Sequence, residues 1–86
     1  MSRYFFDFHT LTLSIRDEEG TTCVNPRAVP MEAMRALCQI AGDRPDRYAG
    51  QPLNVVVRDA NDRTVFTASL NLVSAWIAEQ DQSQAA

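Results

Sequence analysis

Between Tyr4 and Ile15 the chain reads "YFFDFHTLTLSI", and its apolar and polar residues alternate with a period of two. Tyr4, Phe6 and Phe8 fall on one parity; Phe5, Asp7 and His9 fall on the other. Leu11, Leu13 and Ile15 then alternate with Thr12, Ser14 and Arg16. Alternation of β-forming residues marks a strand with one buried face. The run is longer than an average strand of about five or six residues. It therefore predicts two antiparallel strands with a tight turn near His9–Thr10. "DEEG" at 17–20 is the next reversal, where Gly20 takes positive φ at no steric cost. "TTCV" after it supplies a short third strand.

The period changes at Asn25-Pro26. Asn is a good N-cap, and proline suits the first helical position because its missing N–H would be unpaired there. Pro30 removes a backbone bond if the helix begins at Pro26, so the secure helical stretch is Met31–Ala41, with Gly42 as stop signal and Pro45 beyond it. Glu32, Arg35 and Gln39 make a narrow polar strip on this helix. Ala33, Met34, Ala36, Leu37, Cys38, Ile40 and Ala41 fill most of the remaining circumference. That stripe is wider than one sheet face requires, so something besides the sheet is expected against Met34 and Cys38.

"DRPDRYAGQP" reads as a polar connection. Two further alternating strands follow, "LNVVVRD" and "TVFTASLNL", joined by "ANDR", whose Asn-Asp pair tolerates the positive φ of a hairpin. Val73, Trp76 and Ile77 have helical spacing, which predicts a short terminal helix or else a strand extension. The inward set is Tyr4, Phe6, Phe8, Leu11, Leu13, Ile15, Leu53, Val55, Val57, Phe66, Leu70 and Leu72. Such a pattern belongs to an antiparallel sheet packed on one side and wet on the other. The fold expected is α+β: four to five antiparallel strands, one main helix on one face, in the order β-β-(β)-α-β-β. Residues 1–78 are expected to form a single domain and 79–86 a disordered tail. The aromatic cluster at the start of the chain is then mostly core, with Phe5 left over for an edge, the terminal segment or an interface.

The totals narrow the functional classes. Eighty-six residues make one domain with a thin core, for which a partner chain is a natural support. Net charge is −3, carried with eight Arg and no Lys. An acidic domain repels phosphate backbones, which argues against nucleic acid. Arg16, Arg58, Arg63 and Phe5 could share the wet face, but base-stacking sheets normally carry two or three aromatics. No apolar run approaches the roughly 20 residues of a membrane span, and "MSRYFF" does not read as the charged start, apolar stretch and cleavage site of a secretory leader, so a cytoplasmic location is expected. Cys23 and Cys38 lack CxxC spacing and read as reduced, mostly buried thiols.

Candidate chemistry is sparse. His9 stands near Asp7, Asp17, Glu18 and Glu19, but a hydrolytic metal site needs three or four convergent ligands. "DEEG" lacks the spaced acids of a Ca²⁺ loop, so it reads as solubilising. No nucleophile has a base beside it in the pattern, and no phosphate-loop or hydrolase motif occurs. No catalytic residue, cofactor or metal is expected.

The succession "RYFFDF", "RDEEG", "MEAMRALCQIAGD" and "LNVVVRDANDRTVFTASLNL" resembles a large bacterial family of short proteins of unknown function. Its members share an RYFFD-like start, a D-x-x-G turn, an Ala-rich helix and a V-x-V-R-D hairpin. The resemblance covers about residues 3–72 and implies the same sheet-plus-helix fold, with no catalytic residues to transfer. "ANDR" departs from the glycine-containing hairpin of that pattern. A looser similarity is to HicB-type antitoxins, which run strand, strand, strand, helix, strand.

The leading functional expectation is a non-enzymatic interaction or accessory module, working as a homodimer or with a protein partner. Its candidate interface is Phe5, Met34, Cys38, Trp76 and Ile77. The alternative is an antitoxin-like or regulatory partner-binding protein, and the third a small ligand-binding protein or enzyme.

Overall fold

The computed structural model describes residues 2–78. The elements are β1 (Ser2–His9), β2 (Ser14–Ile15), β3 (Thr21–Cys23), a 3-10 turn (Pro26–Ala28), α1 (Val29–Asp43), α2 (Pro45–Tyr48), β4 (Leu53–Arg58) and β5 (Thr64–Leu70). The strands form one antiparallel sheet in the order β2-β1-β4-β5, with β3 also paired to β1. The α+β architecture expected from the alternation is therefore the one adopted. The expected disordered tail at 79–86 lies outside the described residues.

Register explains the core. Phe6 stands opposite Val57 and Phe8 opposite Val55, and those valines stand opposite Phe66 and Ala68. One parity of β1, β4 and β5 thus faces α1. Beneath Val29, Ala33, Leu37 and Ala41, spaced every fourth residue along the helix, lie Tyr4, Phe6, Leu53, Val55 and Val57, all buried. Phe8, Phe66, Leu70 and Leu72 pack around this cluster half-buried. Full burial of a side chain of this size stabilises by about 1.5–3 kcal/mol.

The helix is not centred on the sheet. It lies over β4 and β5, leaving the β1–β2 side less covered. That displacement corrects part of the predicted core: Leu11, Leu13 and Ile15 are 75%, 45% and 54% exposed. Their alternation is real, but β2 is only two residues long and no layer covers it. The turn before it is held by Thr10, whose N–H donates to the Leu13 carbonyl at 2.8 Å and whose hydroxyl accepts from the Leu13 amide at 3.1 Å.

Further corrections concern element ends. Asn25 does cap, accepting from the Arg27 amide at 2.6 Å, but it caps the 3-10 turn. α1 then starts at Val29, which places Pro30 in the first turn, where no helical bond is lost. Gly42 stays inside the helix, and the stop falls at Arg44. The polar connection holds a four-residue helix. Residues 73–78 are neither helix nor strand, and they follow the bridge between Leu72 and Ala49. Asp62 takes the positive φ of the last hairpin, at 67°, so the glycine-free "ANDR" turn closes as its composition allows. Among the described residues, no helix is long and apolar enough to cross a membrane.

Candidate functional site

On the sheet face away from α1, Arg58 ends β4 and stands directly opposite Phe5 of β1. Asp7 is two residues further along β1, on the same face. A long guanidinium reaches that diagonal neighbour. Arg58 Nε donates to Asp7 Oδ2 at 2.7 Å and Nη2 to Asp7 Oδ1 at 3.0 Å, a bidentate pair. Nη2 also donates to the Asp17 carbonyl at 3.0 Å, and Nη1 donates to Asp62 Oδ1 at 3.0 Å. The guanidinium carbon lies 5.0 Å from the centroid of the Phe5 ring, within cation–π range. The two paired side chains are 11% and 9% exposed.

The turn from Arg16 to Gly20 completes this centre. Between the Phe8–Ile15 and Tyr4–Thr21 pairings the chain carries two residues more than β1 does, so the ladder is interrupted there. Asp17 fills the break. Its Oδ2 accepts from the Phe6 amide at 3.0 Å, while Oδ1 accepts from the amides of Glu19 at 3.1 Å and Gly20 at 3.0 Å. The Asp17 amide in turn donates to Asp7 Oδ1 at 2.9 Å. Gly20 has φ of 76°, and a β-carbon there would stand 2.8 Å from the Phe5 ring. Both the backbone conformation and the close approach require glycine.

Electrostatics follow from these contacts. The Arg58 hydrogen bonds hold the Asp7 carboxyl below the usual carboxylate range, against the opposing effect of burial. Burial works to raise Asp17, but the amides of Gly20, Phe6 and Glu19 together outweigh it and leave that carboxyl lowered too. The same Asp7 bonds drive Arg58 upward. Asp7, Asp17 and Arg58 are thus each engaged by partners inside the fold. The arrangement ties β1, β4 and the 16–20 turn together; it presents no spare base or nucleophile.

The predicted site residues are not brought together. Phe5 is the floor under Arg58, half-buried on the far face. Met34 and Cys38 are exposed on the outward side of α1. Trp76 and Ile77, 87% and 89% exposed, belong to the terminal stretch. Cys38 was expected to be mostly buried and is not, because the helix turns that position to solvent; Cys23 is buried, which pushes its thiol up. His9 Nδ1 pairs with Ser14 Oγ at 2.9 Å across the β1–β2 ladder. The acidic turn divides: Asp17 points inward as an anchor, Glu18 and Glu19 are exposed. Among the described residues, no group of three His, Cys, Asp or Glu is placed to hold a metal ion. The wet-face cation cluster also changes character, since the Arg58 charge is consumed by Asp7 and Asp62.

Sequence reasoning placed Asp7 and Arg58 on a solvated face and so missed the centre. The signal lies in the motifs themselves: RYFFD, D-x-x-G and V-x-V-R-D contribute Phe5, Asp7, Asp17, Gly20 and Arg58 to one spot.

Fold and site together define a small α+β domain whose sheet is locked to an acidic turn by a buried arginine. Comparison with protein families matches residues 3–71 to DUF6894, a domain of unknown function, and the chain belongs to that family. Comparisons with curated proteins and with solved structures give no match.

Proposed function

We propose that the domain is a non-enzymatic module acting through protein–protein contacts, and that one of these is with a second copy of itself along β5. The observation that carries this reading is the open edge of the sheet. β5 is the terminal strand in the strand order, and "TVFTASLNL" contains no charged residue. Exposed edges are normally blunted by charges, proline or bulges, because their unpaired N–H and C=O groups template further strands. Charge and proline are both absent from this run in a chain that is 22% charged, and the one register shift, at Val65 near the start of β5, leaves Phe66–Leu70 in regular pairing.

The strand is also compatible with itself. Antiparallel pairing about a two-fold axis at Thr67, within the regular stretch Phe66–Leu70, sets Phe66 against Ala68 of the second copy. Large residues thus meet small ones, and no charges meet. Val65, 48% exposed, and the apolar hollow formed by Tyr4, Pro26, Val29, Pro30 and Phe66 extend the same border. The exposed Val73, Trp76 and Ile77 add apolar surface beyond it.

Native mass spectrometry of the protein isolated from its own cells tests this. The expected result is a dimer or larger assembly that becomes monomeric in Thr67→Lys, which sets like charges against each other at the axis. A wild-type monomer at high concentration would overturn the self-association.

A further inference from the structure

Because α1 lies over β4 and β5, a cleft of about 470 Å³ opens between the helix and the turn that follows β2. Its floor is apolar: Phe6, Phe8, Ile15 and Ala36. Its rim is acidic, with Glu18 and Glu19 on one side and Glu32 of α1 on the other. Asp17 also lines it but is held by three backbone amides. Arg16, the cation among the lining residues, is drawn toward Asp62 at 3.4 Å. Glu32 has a weak exposed pairing with Arg35 at 3.5 Å.

We infer that this cleft binds a cationic, amphipathic segment of another protein, with an aliphatic or aromatic anchor on the Phe6–Phe8–Ile15–Ala36 floor and Lys or Arg side chains on Glu18, Glu19 and Glu32. The charge complementarity selects the occupant. Four carboxylates and one arginine line the opening, a formal excess equal to the net charge of the whole chain, −3. Phosphate-bearing ligands and anionic membrane surfaces are repelled by such a rim. The acids stand around an apolar floor and do not converge as a cation site does, since no three metal-binding side chains cluster among the described residues. The terminal stretch of a second copy is a poor match: from Val73 onward the chain contains Glu79 and Asp81 and no basic residue.

The inference rests on reading the domain as an interaction module, but the two are tested apart. Fluorescence anisotropy with a labelled short peptide alternating leucine and lysine measures binding to the whole chain. Control peptides replace leucine by serine or lysine by glutamate. Wild-type protein is expected to bind the leucine–lysine peptide, and the Glu18→Lys/Glu19→Lys double variant to bind it at least about tenfold more weakly, with an unchanged denaturation midpoint. Ala36→Arg, which fills the floor, is expected to lose binding as well. Equal affinity of wild type and the double variant, or equal affinity for the serine–lysine peptide, would overturn the inference. Loss of self-assembly in Glu18→Lys/Glu19→Lys would overturn it too, by making a second copy the occupant. A monomeric protein that binds the peptide removes the β5 dimer and leaves this cleft in place.

Discussion

Removing one member of a buried ion pair leaves the other charged, desolvated and unpaired, and Asp7 with Arg58 is such a pair, 9% and 11% exposed. Asp7→Ala is expected to destabilise the domain by about 3–5 kcal/mol, measured by urea denaturation. Asp7→Ala/Arg58→Met should recover much of that loss, because the stranded charge is gone. Arg58→Lys keeps the charge but loses the two-pronged geometry and the guanidinium over the Phe5 ring, so it should fall between. The pH dependence has a definite sign. Asp7 and Asp17 both sit below the ordinary value of 3.8 when folded, so their contribution is fully present above the unfolded value and is lost as pH falls through the folded one. Stability should hold from neutrality to about pH 5 and decline below about pH 4. Asp7→Asn should flatten that decline.

At the scale of elements, α1 and the 16–20 turn do different work. Leu37 is 2% exposed between helix and sheet, and Leu37→Ala should cost about 3 kcal/mol. Met34→Ala, three residues earlier on the outward side, should cost less than about 0.5 kcal/mol. Thermal or urea unfolding separates the two. Gly20→Ala combines a left-handed backbone with a clash against Phe5 and should cost about 2–3 kcal/mol. The contrast also shows what the letters carried. Period-two alternation located β1, β4 and β5 and their inward faces, because each strand shares its parity with the next. It failed at Leu11, Leu13 and Ile15, since alternation reports which residues share a face and not whether anything covers it. It also treated Asp7 and Arg58 as solvated, since a polar residue on the wet parity looks the same whether it meets water or a cross-sheet partner. The terminal spacing of Val73, Trp76 and Ile77 imitated a helix without the length to sustain one.

For the molecule as a whole, the buried arginine closes off the middle of the far face and the helix closes off the β4–β5 side of the other. What remains open is the β5 edge, the acidic cleft and the exposed terminal stretch. On these surfaces the proposed contacts with other chains rest. At concentrations low enough that both proteins are monomeric, Thr67→Lys should leave the unfolding free energy in urea within about 0.5 kcal/mol of wild type, because Thr67 is exposed on the far face.

Amide hydrogen exchange followed by mass spectrometry at a series of protein concentrations tests the central claim most directly. Peptides spanning residues 64–70 should gain protection as concentration rises, while those spanning 14–23 exchange at a constant rate. Exchange along 64–70 that ignores concentration would contradict the account.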